Sequence, residues 1–294
     1  MSHLVVAIGE ILWDVFPEGP KFGGAPANFA CSAAELTPSI NETVIVSAVG
    51  DDSLGNQAIE ALRDRQVGTQ YVQRNQEPTG RVDVEINKQG VASYEFARNS
   101  AWDHLQWTDQ LEQLAQQCDA VCFGSLGQRS IKSREVIQRF ISTTQSQCLR
   151  IFDVNIRQPF IDDDCIIASL QLANVLKLNE DEFPAIASLY GLSGSPEKVL
   201  PELLEQLNLQ LIAYTQGEKG SILVSDQKMD ICSVPPTDVV DTVGAGDAFT
   251  ASLAIQMLRG QELDQMNHHA NRVAAYVCSK AGGTMAFPVE LRIN

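Results

Sequence analysis

The sequence predicts an α/β fold on a mostly parallel sheet, with a smaller sheet inserted in it. Three observations carry this. Short apolar runs alternate with helix-period stretches, as in repeated strand–helix–strand units. Chemistry-bearing residues collect at the C-terminal ends of those runs, the edge where open parallel sheets bind ligands. One stretch, residues 81–98, breaks the rhythm with strict alternation and reads as an antiparallel hairpin. The 294 residues are 44% hydrophobic, enough for a full core.

In chain order, the first run is Leu4–Ile8, followed by Gly9 and Glu10. Leu12–Phe16 reads as a strand that joins the inserted sheet. Gly23-Gly24-Ala25-Pro26-Ala27-Asn28-Phe29-Ala30 follows, with glycines that allow close backbone approach and a proline suited to a first helical turn. Asn28 is a polar residue in that turn that helix packing alone does not explain. Thr43–Val49 ends at Gly50 and Asp51. Arg81–Ile86 and Val91–Arg98 pair around a turn at 87–90. Tyr94, Phe96 and Arg98 share one face of it, either as packing or as a lid over a cleft.

Ala120–Phe123 ends at Gly124, and Leu149–Phe152 at Asp153 and Asn155. Asp153, Asn155 and Arg157 alternate, so an extended segment puts them on one side. Arg157 then suits sugar or phosphate oxygens, or a surface ion pair. Asn174–Leu178 carries Lys177 and leads to Asn179. Lys177 neutralises phosphates there or is solvated. Asn179 and Glu182 offer oxygens of the kind magnesium takes, and Glu182 alone also reads as a solvated helix residue. Leu209–Tyr214 is followed by Thr215 and Gly217. A last helix, Asn267–Ala281, buries Ala270, Val273, Ala274, Val277, Cys278 and Ala281, with Asn271 beside the stripe.

The densest motif is Asp241-Thr242-Val243-Gly244-Ala245-Gly246-Asp247-Ala248-Phe249. It leads into an apolar helix that reaches about Leu258, with Gly260 as its stop. Small residues at 244–246 let an anion approach the free N–H groups of the first turn. Asp247 stands at the mouth of that site, as a general base or as a helix cap. Phe249 excludes the dinucleotide fingerprint, and the lack of any Gly-Lys pair excludes a Walker A loop.

The net charge of −16 argues against nucleic acid and anionic membranes as partners. The seven cysteines have no metal spacing and read as reduced thiols of a cytoplasmic protein. Val5–Ile8 is too short for a signal peptide, and no run of 18 apolar residues occurs. His268 and His269 have no partner spacing for a metal.

The Asp241–Phe249 stretch and the Gly23–Ala30 motif together resemble the signatures of the ribokinase-like carbohydrate kinases, the PfkB family. Within it, Gly9-Glu10-Ile11-Leu12-Trp13-Asp14 and Phe96-Ala97-Arg98 with Ala101-Trp102-Asp103 are similar to bacterial fructokinases. The resemblance implies a three-layer α/β/α sandwich. It implies one kinase domain over 1–294, with lid segments at about 11–22 and 68–103. It implies ATP and Mg2+, with K+ near Asp241, and no nucleic acid or membrane partner. Asp247 would be the base, and Gly244, Ala245 and Gly246 the anion hole. Asp14, Gly23, Gly24, Asn28, Asn155 and Arg157 would contact the sugar, with Phe96 and Arg98 closing from the lid. Lys177, Asn179, Thr215, Gly217, Gly220 and Asn271 would serve the nucleotide, and Glu182 and Asp241 the metals. The expected reaction is phosphorylation of a primary hydroxyl of a small sugar, fructose first. 2-Keto-3-deoxygluconate, ribose, a nucleoside or a non-catalytic sugar sensor are the alternatives. A lid-to-lid homodimer is a further expectation.

Overall fold

A computed structural model of the chain describes residues 2–38, 40–86, 92–160 and 162–293, without the side chains of 85–94. The strands are β1 (Leu4–Ile8), β2 (Leu12–Phe16), β3 (Gly19–Gly23), β4 (Glu42–Gly50), β5 (Val72–Asn75), β6 (Gly80–Ile86) and β7 (Ala92–Phe96). They continue as β8 (Ala120–Gly124), β9 (Leu149–Asp153), β10 (Val175–Asn179), β11 (Leu211–Thr215), β12 (Ser221–Ser225) and β13 (Met229–Cys232). The helices are α1 (Ala25–Leu36), α2 (Ser53–Asp64), α3 (Asp109–Gln117), α4 (Ile131–Thr143), α5 (Asp163–Leu172), α6 (Phe183–Leu189), α7 (Pro196–Leu207), α8 (Ala245–Leu258) and α9 (Leu263–Cys278).

The described residues form a nine-stranded sheet in the order β13-β12-β11-β10-β9-β8-β1-β4-β5. It is parallel from β5 to β11, and β12 and β13 add antiparallel at one edge. Successive side chains of a strand point to opposite faces. Val5 and Ala7 therefore pack with α1, α2, α8 and α9, and Val6 and Ile8 with α3 to α7. This is the expected three-layer sandwich. α8 is apolar all round and fully buried from Ala248 to Gln256, because it lies between α1 and α9.

The small sheet has the order β3-β2-β6-β7. β2 pairs antiparallel with β3 but parallel with β6. The expected hairpin is present as β6 and β7, paired antiparallel, and its turn at 87–90 lies outside the described residues. Of the expected 68–103 segment, β5 joins the edge of the large sheet instead.

Sequence patterning did not show β3, β5, β12 or β13. The last helix runs earlier than expected, over 263–278, because Leu263 and Met266 extend its buried stripe. Gly282 follows at φ +86 in a turn, and Ala281 is exposed. No described helix is long and apolar enough to cross a membrane.

Candidate active site

The loop into α8 is shaped by its glycines. Gly244 caps the helix at φ +78, a left-handed conformation that penalises a Cβ. A Cβ there would also lie 2.6 Å from Gly283 Cα. Gly283 in turn abuts the Asn28 side chain, at 3.0 Å from where its own Cβ would be to Asn28 Oδ1. Asn28, in the first turn of α1, donates from Nδ2 to Asp247 Oδ2 at 2.8 Å. Loop, C-terminal turn and α1 thus lock one another, and Asp247 is aimed by a neutral donor.

Beneath the loop lies Lys177. A Cβ on Gly246 would stand 3.2 Å from its Nζ. Lys177 donates to Asp153 Oδ1 at 3.0 Å, and Thr250 of α8 donates to Asp153 Oδ2 at 2.8 Å. Lys177 is therefore not solvated but buried in an ion pair. Burial works against its ammonium, yet the charges of Asp153, Glu182 and Asp247 outweigh that and hold its pKa above the usual lysine range. Asp247 shows the opposite balance. Burial, helped by the Asp153 charge, pushes its pKa up to about 6 against the pull of Asn28, Lys177 and Arg157. A carboxyl near 6 beside the first-turn N–H groups of α8 and a fixed cation suits proton abstraction next to a bound anion.

The cleft continues past β1, at the switch point where β4 lies on one side of that strand and β8 on the other. Gly24, at φ +104, passes so close that a Cβ would lie 2.8 Å from Glu10 O. A Cβ on Gly23 would lie 3.0 Å from Asp14 Oδ2. Burial raises the pKa of the Asp14 carboxyl, while the charges of Arg157 and Lys21 oppose it. Arg157 is exposed, and its charge reaches Glu10, Asp14 and Asp247 alike.

At the other end Asn179 and Thr215 are register partners on β10 and β11. Asn179 Oδ1 accepts from the N–H groups of Asp181 and Glu182 at 2.9 Å each. Glu182 answers by accepting from Asn179 N–H at 2.9 Å and Ile156 N–H at 3.1 Å. It is a buried brace between two strand ends, not a solvated helix residue. Gly217 and Gly220 turn the chain at φ +54 and +106, and Gln216 N–H closes the loop onto Gly220 O at 2.8 Å. Asn271 is buried and donates to Ser221 Oγ at 2.6 Å, so it sits behind that loop. Asp241 accepts from Val243 N–H at 3.1 Å and Gly282 N–H at 3.0 Å, tying the anion loop to the C-terminal turn. No cluster of three or more potential metal ligands occurs among the described residues.

Two expectations need correction. Asn155 has φ +42, so the segment after β9 is not extended there and the shared side of Asp153, Asn155 and Arg157 does not form. Asp153 turns inward to Lys177, and the Asn155 carbonyl accepts from Ser125 Oγ at 3.0 Å. Phe96 is half-buried with its ring 5.5 Å from that of Phe160, whereas Arg98 lies beyond β7 and is exposed. The Tyr94 side chain lies outside the described residues.

A family model described as pfkB family carbohydrate kinase matches residues 19–289. The chain belongs to the pfkB family. It is similar to the fructokinase of Salmonella typhimurium, 29% identical over 317 residues that cover 100% of this chain and 99% of that protein. It is also similar to an uncharacterized sugar kinase from Pyrococcus horikoshii in complex with ATP, with a TM-score of 0.78, 27% identity and coverage of 95% and 93%. Its fold is similar to that of 2-dehydro-3-deoxygluconokinase from Thermotoga maritima, with a TM-score of 0.88 at 19% identity and coverage of 99% and 97%. This pfkB-family protein is an ATP-dependent carbohydrate kinase.

In the pfkB kinase Glu10, named in the sequence only as a strand-end residue, had no role assigned to it. It is 2% exposed, and its Oε2 has no hydrogen-bond partner. Burial, with help from the Asp247 charge, lifts its pKa to about 7 although its own N–H and that of Ala25 hold it down. The one sequence signal was its place just after β1. Asp153 was given no role of its own beyond sharing a side with Asn155 and Arg157, and its contact with Lys177 and Thr250 needs three elements that only the fold brings together.

Proposed function

We propose that this pfkB kinase transfers the γ-phosphate of ATP to a primary hydroxyl of fructose, with Asp247 as the base. The observation that carries the reading is the Asp247 carboxylate, held at 2.8 Å by Asn28 on the first turn of α8 with Lys177 beneath. Asp247 takes the hydroxyl proton as the oxygen attacks phosphorus in line. The N–H groups of Gly244, Ala245 and Gly246 stabilise the charge that builds on the phosphoryl oxygens, at about 10²–10³ in rate per donor. Lys177 adds a fixed positive charge under that loop.

Asp14, Gly23, Gly24, Asn28, Asn155 and Arg157 hold the sugar. Phe96 and Arg98 close the small sheet over it and exclude water. Thr215, Gly217, Gly220 and Asn271 carry the nucleotide. Magnesium bound with ATP would neutralise its phosphates. Asn179 and Glu182 would hold it through water, since their oxygens already accept backbone N–H groups. Asp241 and the Gly282-Gly283 turn would hold K+, and equal rates in potassium and tetramethylammonium buffers would remove that assignment. β7 offers an open edge for a lid-to-lid dimer.

The deciding experiment measures kcat/KM for fructose, ribose, a nucleoside and 2-keto-3-deoxygluconate at saturating ATP and Mg2+. Fructose is expected to lead. The sugar acid is the second reading, because exposed Arg157 and Arg98 suit a carboxylate. A higher kcat/KM for it would replace fructose, and ligand binding without turnover of any sugar would replace the enzyme by a sensor.

A further inference from the structure

A cavity of about 600 Å³ opens where the end of the small sheet meets the first turn of α4. Arg98 and Asn99 line it from the sheet, Arg129, Lys132 and Phe160 from the body, and His104 completes the wall. The chain as a whole has a net charge of −16. In this cavity the sign reverses, since Arg98, Arg129 and Lys132 meet one carboxylate, that of Asp103. Asp103 pairs with Arg129, which leaves Arg98 and Lys132 as the net positive charge of the wall. The backbone adds to them. The first hydrogen bond of α4 runs from Arg134 N–H to Ser130 O, and Ser130 makes no side-chain cap. The N–H groups of Ile131, Lys132 and Ser133 therefore have no intrahelical acceptor, at the positive end of the helix dipole.

Arg129 supplies an independent sign. Its side chain is 7% exposed and lies 3.9 Å over the Trp102 ring. Nε and Nη2 donate to the Asp103 carboxylate at 2.8 and 2.7 Å, and Nη2 also to Ala97 O at 2.7 Å. Nη1 has no partner. A buried guanidinium nitrogen without an acceptor is costly, and an anion in the cavity would supply one.

We propose that this cavity binds a phosphate-class anion, the phosphate group of a small metabolite or inorganic phosphate, and that the anion ties the small sheet to α4. The lining shares no residue with the loop at 244–247. Arg129 already fastens the sheet through Ala97 O, and an anion between Arg98 and Lys132 fastens it again across the same gap. The binding stands on the cavity alone, whereas any effect on sugar KM rests on reading the small sheet as the lid.

The test titrates inorganic phosphate at constant ionic strength against protein saturated with a non-hydrolysable ATP analogue and Mg2+, which fills the loop at Asp247. Calorimetry and thermal melting are read together, since a ligand that prefers the folded state raises Tm. Saturable binding is expected, with Lys132→Glu weakening it by about tenfold or more and Lys132→Arg keeping it within about threefold. Glycerol 3-phosphate that binds more tightly than phosphate would identify an organic ligand, and equal affinity would identify the free ion. Lys132→Gln serves if the charge reversal lowers Tm without ligand. No binding once the analogue is present, or an unchanged affinity in Lys132→Glu, overturns the proposal. No sugar enters the assay, so a wrong acceptor sugar leaves its outcome untouched.

Discussion

At the scale of single residues, the two carboxyls lifted by burial have separate tests. Asp247→Asn keeps the Asn28 contact possible and removes the base, so kcat is expected to fall by at least ~10²-fold with ATP binding nearly unchanged. Turnover above about a tenth of wild type, with chemistry limiting, would exclude Asp247 as the base. Because the Asp247 pKa stands at about 6, kcat/KM should fall as pH drops below that value and level off above it. Glu10 acts on stability. Its carboxyl keeps its proton up to about pH 7 when folded and loses it near 4.5 when unfolded. The folded state then holds more protons across that window, so this group makes stability fall as pH rises from about 4.5 to 7. Glu10→Gln cannot ionise and should flatten that slope, a change on the order of 3 kcal/mol between the ends of the window. Identical slopes in chemical denaturation of the two proteins would mean that Glu10 ionises freely.

At the scale of elements, the N-terminus of α8 depends on a residue without a side chain. Gly244→Ala combines a left-handed φ with a Cβ 2.6 Å from Gly283 Cα, and the Gly283 atoms it would meet are all backbone. A cost of roughly 1–3 kcal/mol and a loss of tenfold or more in kcat are expected. A variant of wild-type Tm and kcat would show that the loop has room to move. The same local logic explains what was legible in the sequence. Gly24, Asn28, Gly244 and Asp247 declare themselves because tight turns before helices admit few residue types. β1, β4 and β8 to β11 declare themselves because strands buried on both faces are continuous apolar runs. β3, Gly-Pro-Lys-Phe-Gly, and β13, half in solvent, carry no such pattern. The buried ion pair of Lys177 was not legible because Asp153 and Thr250 are far from it in sequence. Arg129 carried no signal at all, for its partners Asp103, Trp102 and Ala97 belong to another segment.

At the scale of the whole molecule, the edges of the small sheet decide how copies can meet. β3 carries Pro20 and Lys21, residues that blunt an edge, so a lid-to-lid dimer would have to use β7. Light scattering is expected to find a dimer that a proline at Glu95 dissociates, and a monomer at all concentrations would end that reading. A different matter concerns synthesis. Asn28 and Asp247 touch across 219 positions of sequence, and α1 packs on α8. A ribosome adding about 5–20 residues per second separates the two helices by roughly 10–40 s. During that interval α1, buried along most of its length in the finished fold, has no α8 to pack against. The nascent chain thus exposes an apolar helix face for as long as its phosphate site does not exist, which makes α1 the stretch on which a holding chaperone should be found, and makes any prematurely ended chain inert toward ATP and dependent on that chaperone at once.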